Sequence, residues 1–264
     1  MTSPVTNARW RGARDQFRSG LPMSIKHVVP VKHVEPAAVV RRRRRIVAGV
    51  SVLGTGLLGM SFSTQPGSNK FYGLTAAVAA TWTLGGFLSG PLHLGWIEGR
   101  DDRLRRPIVT PVATGIGAFG FFYAAALVSR RIPLLDSALI RVLRFASHGA
   151  TPAVVLTTCA NGMAEEVFFR GALYAALEKR RPVATSTAIY TLATVSTRNP
   201  ALVVAAGVMG TLFGLQRRAS GGIQASTLTH LTWSVLMLRF LPPLFEPRPD
   251  PHDGSLRRHG KDTR

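Results

Sequence analysis

The chain has 264 residues and a formal net charge of +20, with 46% hydrophobic residues against 17% charged ones. Ordinary soluble chains carry about 25% charged residues, so charge is scarce here, and 33 Lys and Arg against 13 Asp and Glu make what remains basic. An acidic solvating chain and a wholly disordered one are excluded, and a single cysteine, Cys159, excludes a disulfide scaffold and a Cys-rich metal site.

Residues 1–45 hold eleven Lys or Arg. Up to residue 40 they mix Pro, Ser, His and Arg without apolar period, which reads as a basic, disordered N-terminus ending in Arg41–Arg45. Charges then vanish in blocks. Ile46–Asn69, Phe71–Ile97, Pro107–Ser129, Phe145–Ala164, Pro182–Thr197, Asn199–Gln216 and Ala219–Leu238 contain no Asp, Glu, Lys or Arg. A bilayer core of ~30 Å takes about 20 apolar residues as a helix. Ala, Gly and Leu dominate these runs without period-2 alternation, which argues against strands and suits close helix packing in lipid. The expected fold is all-α, a polytopic transmembrane helical bundle of about seven spans. Its expected divisions are the basic N-terminus 1–45, N-terminal transmembrane helices 46–149, a transmembrane core 150–241 and a polar tail 242–264.

Arginine placement orients the bundle. The block Arg41–Arg45 stays in the cytoplasm by the positive-inside rule. Alternation then keeps Gly99–Arg106, Glu178–Arg181 and Gln216–Arg218 inside, and leaves Lys70, Arg130 with Arg131, and Arg198 outside. A multi-pass plasma-membrane protein with a cytoplasmic N-terminus is expected. Basic runs beside a span set topology and touch anionic lipid, so the bilayer is the expected partner and nucleic acid is not.

The fourth run continues into charge: Asn161-Gly-Met-Ala-Glu165-Glu166-Val-Phe-Phe-Arg170-Gly171. A helix over about Thr151–Leu177 puts two carboxylates and a guanidinium near mid-membrane, where each costs about 2.5–3.5 kcal/mol by insertion scales. Such groups persist facing a protein interior or a watery cavity. Glu166 and Arg170 are four apart and can pair on one face. Glu165 lies about 100° around the helix, one turn beyond Asn161, and is left over. A desolvated carboxylate without a counter-charge can act as a general base near neutral pH. The bland alternative is an inert charge cluster pinning two helices. In the last run, His230 shares a helical stripe with Thr227 and Ser234, which either lines a cavity or bridges helices. Cys159 has no positive group near it in sequence and reads as a small buried residue rather than a nucleophile.

Together these residues resemble the CPBP family, the intramembrane CAAX proteases and bacteriocin-processing enzymes, over about Ala150–Phe240. The family's first motif, Glu-Glu-x-x-x-Arg, reads Glu165-Glu166-Val-Phe-Phe-Arg170, with the usual following glycine at Gly171. Its last motif, His-x-x-x-Asn or Asp, reads His230-Leu-Thr-Trp-Ser234, with Ser in the amide position. Its middle motif, Phe-x-x-x-His, has as counterpart Tyr190-Thr-Leu-Ala-Thr194, or the register ending at Ser196, and lacks the His in either. The resemblance implies an intramembrane endopeptidase in which Glu165 activates water and His230 serves as acid or oxyanion donor. Glu166 and Arg170 complete the catalytic group, with Asn161, Thr194 and Ser234 supporting it. The substrate implied is a membrane-associated protein or peptide. Without the middle His, the alternative is a catalytically impaired scaffold or regulator of a partner protein. Glu165, His230 and Asn161 are too few strong ligands for a zinc site, so no tightly bound metal is expected and at most a weakly held divalent ion.

Overall fold

The computed structural model describes residues 33–98, 103–147, 151–177 and 181–245. The N-terminal residues 1–32, expected to be basic and disordered, and the tail beyond 245, expected to be polar, lie outside the described residues. The first helix, α1, spans Ala37–Phe62 and so begins nine residues before the charge-free run. It draws Arg41–Arg45 into its first turns, where a disordered segment was expected. Arginine is a good helix former, and the helix gives Arg43 a buried niche. Arg43 is 0% exposed; it forms an ion pair with Glu35 and donates from Nη1 to Ser89 Oγ (3.0 Å) and from Nη2 to the Pro91 carbonyl (3.0 Å).

Helix α2 (Asn69–Ser89) returns antiparallel, started by Ser68, whose hydroxyl accepts the Phe71 N–H. Small residues bring the pair close: Gly54 lies under the Trp82 indole and Gly85 against Val50. A short antiparallel hairpin, β1 (Ile97–Glu98) with β2 (Leu104–Arg105), leads to α3 (Val109–Ser129). Next comes α4 (Pro133–Ser147), which the charge-free runs did not predict. It is amphipathic: Ala138 is 0% exposed while Arg141 and Arg144 face outward.

Helix α5 (Thr151–Glu165) continues without a break through a π-helical stretch, Glu166–Leu173, into the short α6 (Tyr174–Ala176). The helix expected over Thr151–Leu177 is thus present, but with its charged motif in the wider π geometry, which is rare and concentrates at functional sites. Then follow α7 (Pro182–Val195), α8 (Pro200–Ser220), α9 (Gln224–Phe240) and a 3₁₀ turn at Pro242–Leu244. Asn199 caps α8 by accepting the N–H groups of Ala201 and Leu202, and Pro200 takes the first helical position.

The chain is a helical membrane protein. Among the described residues, four helices, α1, α2, α3 and α8, are long and apolar enough to cross a membrane. The count of seven spans therefore does not rest on length and hydropathy. The α5–α6 run carries Glu165, Glu166 and Arg170, while α7 has 14 residues and α9 has 17. At 1.5 Å per residue, 14 residues reach only about 21 Å of a ~30 Å core.

The antiparallel course sorts the bundle into two ends. At the basic end sit the start of α1, the hairpin, α6, the C-terminus of α8 and the start of α9. There Arg44 Nε donates to the Ala176 carbonyl (3.1 Å) and Arg106 Nη1 to the Gly95 carbonyl (2.9 Å). The α8–α9 turn is held by backbone bonds from Trp96 to Ser220 and from Ile223 to His93 (2.8 and 2.9 Å). Gly221 ends α8 at φ 73°, and a Cβ on Gly222 would fall 2.0 Å from the Leu94 backbone, so both glycines are required. His93 stacks on His33 (3.4 Å). Burial, with His33 and Arg217 close by, holds the His93 imidazole below its ordinary pKa. At the opposite, far end, α4 crosses the other helices. Phe145 meets Phe62 (5.1 Å) and Phe71 (4.9 Å), and Asn199 Nδ2 donates to the Ala138 carbonyl (2.8 Å).

Candidate active site

A cavity of about 320 Å³ opens between α2, α4, α5, α7, α8 and α9. Its wall carries Asn161, Glu165, Tyr190, Thr194, His230 and Ser234 on an otherwise mainly apolar lining. All the site positions expected from sequence except Glu166 and Arg170 therefore face one space. Those two lie behind the wall, 0% and 1% exposed.

The adjacent glutamates have different surroundings. Glu165 is half-buried at the cavity, where its Oε2 accepts the Tyr190 hydroxyl at 2.7 Å. Glu166 points into the protein, with its Oε1 3.3 Å from Arg170 Nη1 and 3.2 Å from His230 Nδ1. The i, i+4 pairing expected of Glu166 and Arg170 is present. His230, expected to work beside Glu165, is hydrogen-bonded instead to Glu166, while its ring still borders the cavity. With Nδ1 engaged, Nε2 is the ring nitrogen outside that bond.

Arg170 is held from several sides. Its Nη2 donates to the Gly210 carbonyl (3.3 Å), and its guanidinium stacks over the rings of Tyr190 (4.6 Å) and Phe213 (5.0 Å). Phe213 in turn stacks against His230 (4.8 Å). Arg217 Nε donates to the Arg170 carbonyl (2.8 Å), tying the π-helical stretch to α8. A Cβ on Gly162 would lie 3.6 Å from the His230 ring, so the imidazole seats directly on the α5 backbone.

The supporting positions differ in what they can still offer. Asn161 Nδ2 donates to the Thr157 carbonyl (2.9 Å) and across to the Thr75 carbonyl (3.3 Å), anchoring α5 to α2. Thr194 lines the cavity, but its hydroxyl donates back to the Tyr190 carbonyl (2.9 Å). Of the two registers open for the middle motif, the one through Leu192 and Ser196 does not reach the cavity. Leu192 is 68% exposed, and Ser196 bonds its own helix and packs on Gly59 of α1. Ser234 is buried on the wall, one turn beyond His230, whereas Thr227 bonds back to the Ile223 carbonyl. Cys159 is half-buried and does not line the cavity.

Tyr190 was missed as a functional group. From sequence it marked only the aromatic start of the middle motif, yet its hydroxyl is the direct partner of Glu165. Its signal was a hydroxyl-bearing aromatic ring within a charge-free run, four residues before a Thr. A zinc ion finds little here. No group of three His, Cys, Asp or Glu side chains converges among the described residues, and one nitrogen of His230 already faces Glu166. That donor set does not fit a three-ligand zinc centre.

Fold and wall together define a polytopic helical membrane protein with a carboxylate–imidazole site beside an apolar cavity. Residues 147–236 match the Rce1-like family, described as type II CAAX prenyl endopeptidase Rce1-like. The match spans α5 to most of α9, includes every site residue named above, and makes this segment, about a third of the chain, similar to the CAAX endopeptidases that its motifs resemble. No curated protein and no solved structure matches the chain.

Proposed function

We propose that the protein is an intramembrane endopeptidase of the plasma membrane, N-terminus in the cytoplasm, that hydrolyses a peptide bond of a membrane-associated substrate with water activated by Glu165. The observation that carries this reading is the division of labour between adjacent carboxylates. Glu166 is committed to Arg170 and His230, while Glu165 stands on the cavity wall with one neutral hydrogen bond and, among the described residues, no counter-ion in contact. Glu165 is the catalytic residue that touches the reacting water, and Tyr190 positions it. The carboxylate takes a proton from water as the water oxygen bonds to the scissile carbonyl carbon. The carbonyl oxygen becomes an oxyanion, for which His230 Nε2 is a donor when the ring is protonated. The C–N bond then breaks, and the proton held by Glu165 passes to the departing amine nitrogen. Glu166 and Arg170 are positioning residues acting through His230.

A comparison of membrane peptidomes tests this. Cells carrying wild type, Glu165→Ala and His230→Ala at matched protein levels should differ in one set of cleaved termini, lost in both variants. Identical peptidomes would refute the reading. One observation favours the alternative of an impaired scaffold: the Thr194 hydroxyl is already bonded to backbone where the family carries a His. A lost oxyanion donor costs about 10²–10³ in rate, so the scaffold reading predicts a phenotype that survives Glu165→Gln.

A further inference from the structure

Most hydroxyls on the helices around the cavity are consumed locally. Thr157 donates to the Ala153 carbonyl (2.7 Å), Thr194 to that of Tyr190 (2.9 Å) and Thr227 to that of Ile223 (2.8 Å), the back-bond open to a helical Ser or Thr. Ser61 and Thr75 bond each other (2.8 Å). Ser234 departs from that pattern. It is 6% exposed and sits on the cavity wall, and its hydroxyl has no hydrogen-bond partner among the described residues. Its oxygen is not sealed inside the protein, as the polar atoms of Tyr72 and Thr187 are, so the space it reaches is the cavity.

Asn161 on the same wall is engaged at one end only. Its Nδ2 donates twice, to the carbonyls of Thr157 and Thr75. Two acceptors at that end fix which atom of the amide is nitrogen. Oδ1 is therefore turned away from both carbonyls; it accepts no hydrogen bond among the described residues and is not sealed off. The two side chains also share a level. Helix α5 runs toward the basic end and α9 away from it, and they meet where Gly162 seats the His230 ring. Asn161 precedes Glu165 by four residues and Ser234 follows His230 by four. At 1.5 Å per residue, both lie about 6 Å from the Glu165–His230 level, in the same direction.

A free acceptor beside a free donor, on adjoining helices, matches one edge of an extended chain. There the N–H and C=O of a single residue point the same way, whereas inside a helix both are already taken. We infer that Asn161 Oδ1 and the Ser234 hydroxyl form a main-chain subsite, in which Asn161 accepts the N–H and Ser234 donates to the carbonyl of one residue of an extended apolar peptide. At about 3.3 Å per residue, that residue lies about two positions from the bond held beside Glu165. The identity of that bond as the one cleaved rests on the protease reading above, whereas the binding does not. The subsite reads backbone and tolerates any side chain, so selection among peptides falls to the apolar lining, with Val78, Val142, Leu143 and Met209.

Binding without turnover tests this subsite. The full-length protein, purified in detergent, carries Glu165→Gln to stop cleavage, Cys159→Ala, and Thr158→Cys as a reporter on the cavity wall. N-acetyl-pentaleucine amide should protect Thr158→Cys from a maleimide in a saturable way. Replacing its peptide bonds one at a time by esters removes one N–H each. At one position affinity should fall roughly 3- to 10-fold, the worth of one hydrogen bond. Asn161→Leu should weaken the all-amide probe by a similar factor and make that ester harmless, so that the two changes are not additive. A merely structural role for Asn161, through the Thr75 carbonyl, weakens amide and ester probes alike, and that result overturns the proposal. Ser234→Ala removes no contact within the described protein, so it should melt as wild type and still bind the all-amide probe several-fold more weakly. Unchanged affinity in Ser234→Ala overturns the proposal even where Asn161→Leu fails to fold, and so does a lack of saturable protection by the all-amide probe. Either failure leaves the peptidome comparison standing, and identical peptidomes would leave this binding cycle standing.

Discussion

Two neighbouring isosteric substitutions should behave as opposites. Glu166 has no exposed surface and neutralises Arg170, which is itself 1% exposed. Glu166→Gln removes that charge and leaves the guanidinium with one hydrogen bond, to the Gly210 carbonyl, and two ring faces. Breaking a buried pair by removing one partner costs about 3–5 kcal/mol. At roughly 2–4 °C per kcal/mol for a chain of this size, the melting temperature should fall by about 6–20 °C. Glu165→Gln faces a different ledger. Its amide oxygen still accepts the Tyr190 hydroxyl, and only the charge-assisted part of that bond is lost, about 1 kcal/mol. It should melt within a few degrees of wild type and yet lose all cleavage. Thermal denaturation of purified full-length protein in one detergent, followed by size exclusion after heating, reads the difference. A Glu166→Gln variant as stable as wild type, or a Glu165→Gln variant less stable than it, would refute the assignment of buried and working carboxylates. The double variant Glu166→Gln/Arg170→Met removes both charges and should recover much of the loss, because an apolar replacement of a buried pair is often neutral or stabilising.

Three further outcomes follow from individual contacts. Tyr190→Phe keeps the ring against Phe169 (4.8 Å) and Arg170 but frees Glu165; with a hydrogen bond to a charged group worth about 1.5–3 kcal/mol, kcat should fall roughly 10- to 150-fold with KM unchanged, and a change in KM alone would contradict a positioning role. Gly54→Ala drives a Cβ to 2.3 Å from the Trp82 ring, which is fixed among Phe168 and Phe169, so overpacking should cost about 1–3 kcal/mol; an unchanged melting temperature would show that α1 and α2 separate freely. Acidification should loosen the basic end, because a His whose folded pKa is depressed gives stability that is whole above its unfolded value of about 6.5 and is lost as the pH falls through the lower folded one. Hydrogen exchange of residues 33–36 and 90–96 should therefore accelerate in mild acid, and His93→Gln should abolish that dependence.

How far the sequence led depends on which physical signal each feature carries. Charge-free runs located the apolar helices because a bilayer tolerates few charges over 20 residues, a rule that needs no tertiary knowledge. The same rule is blind to α4, since Asp136, Arg141 and Arg144 interrupt its apolar face at helical spacing; a search for a 3.6-residue period across Pro133–Ser147 would have found it. It also placed the start of α1 too late, because Arg43 is buried through Glu35, Ser89 and Pro91, the last two some 46 and 48 residues away. At the site, the i, i+4 rule was enough to pair Glu166 with Arg170. It could not say which carboxylate would meet the imidazole, because α9 approaches α5 from a direction that helical geometry on one strand of sequence does not encode. The answer lies in α8, where Phe213 supports both Arg170 and His230 and Gly210 makes room for the guanidinium. That arrangement draws Glu166 inward with His230, and the roughly 100° between successive helical residues then turns Glu165 to the cavity and to Tyr190. A single missing imidazole at Thr194 leaves this division of the two carboxylates untouched, so on the protease reading it would slow hydrolysis, and on the scaffold reading it would leave the same buried framework without turnover.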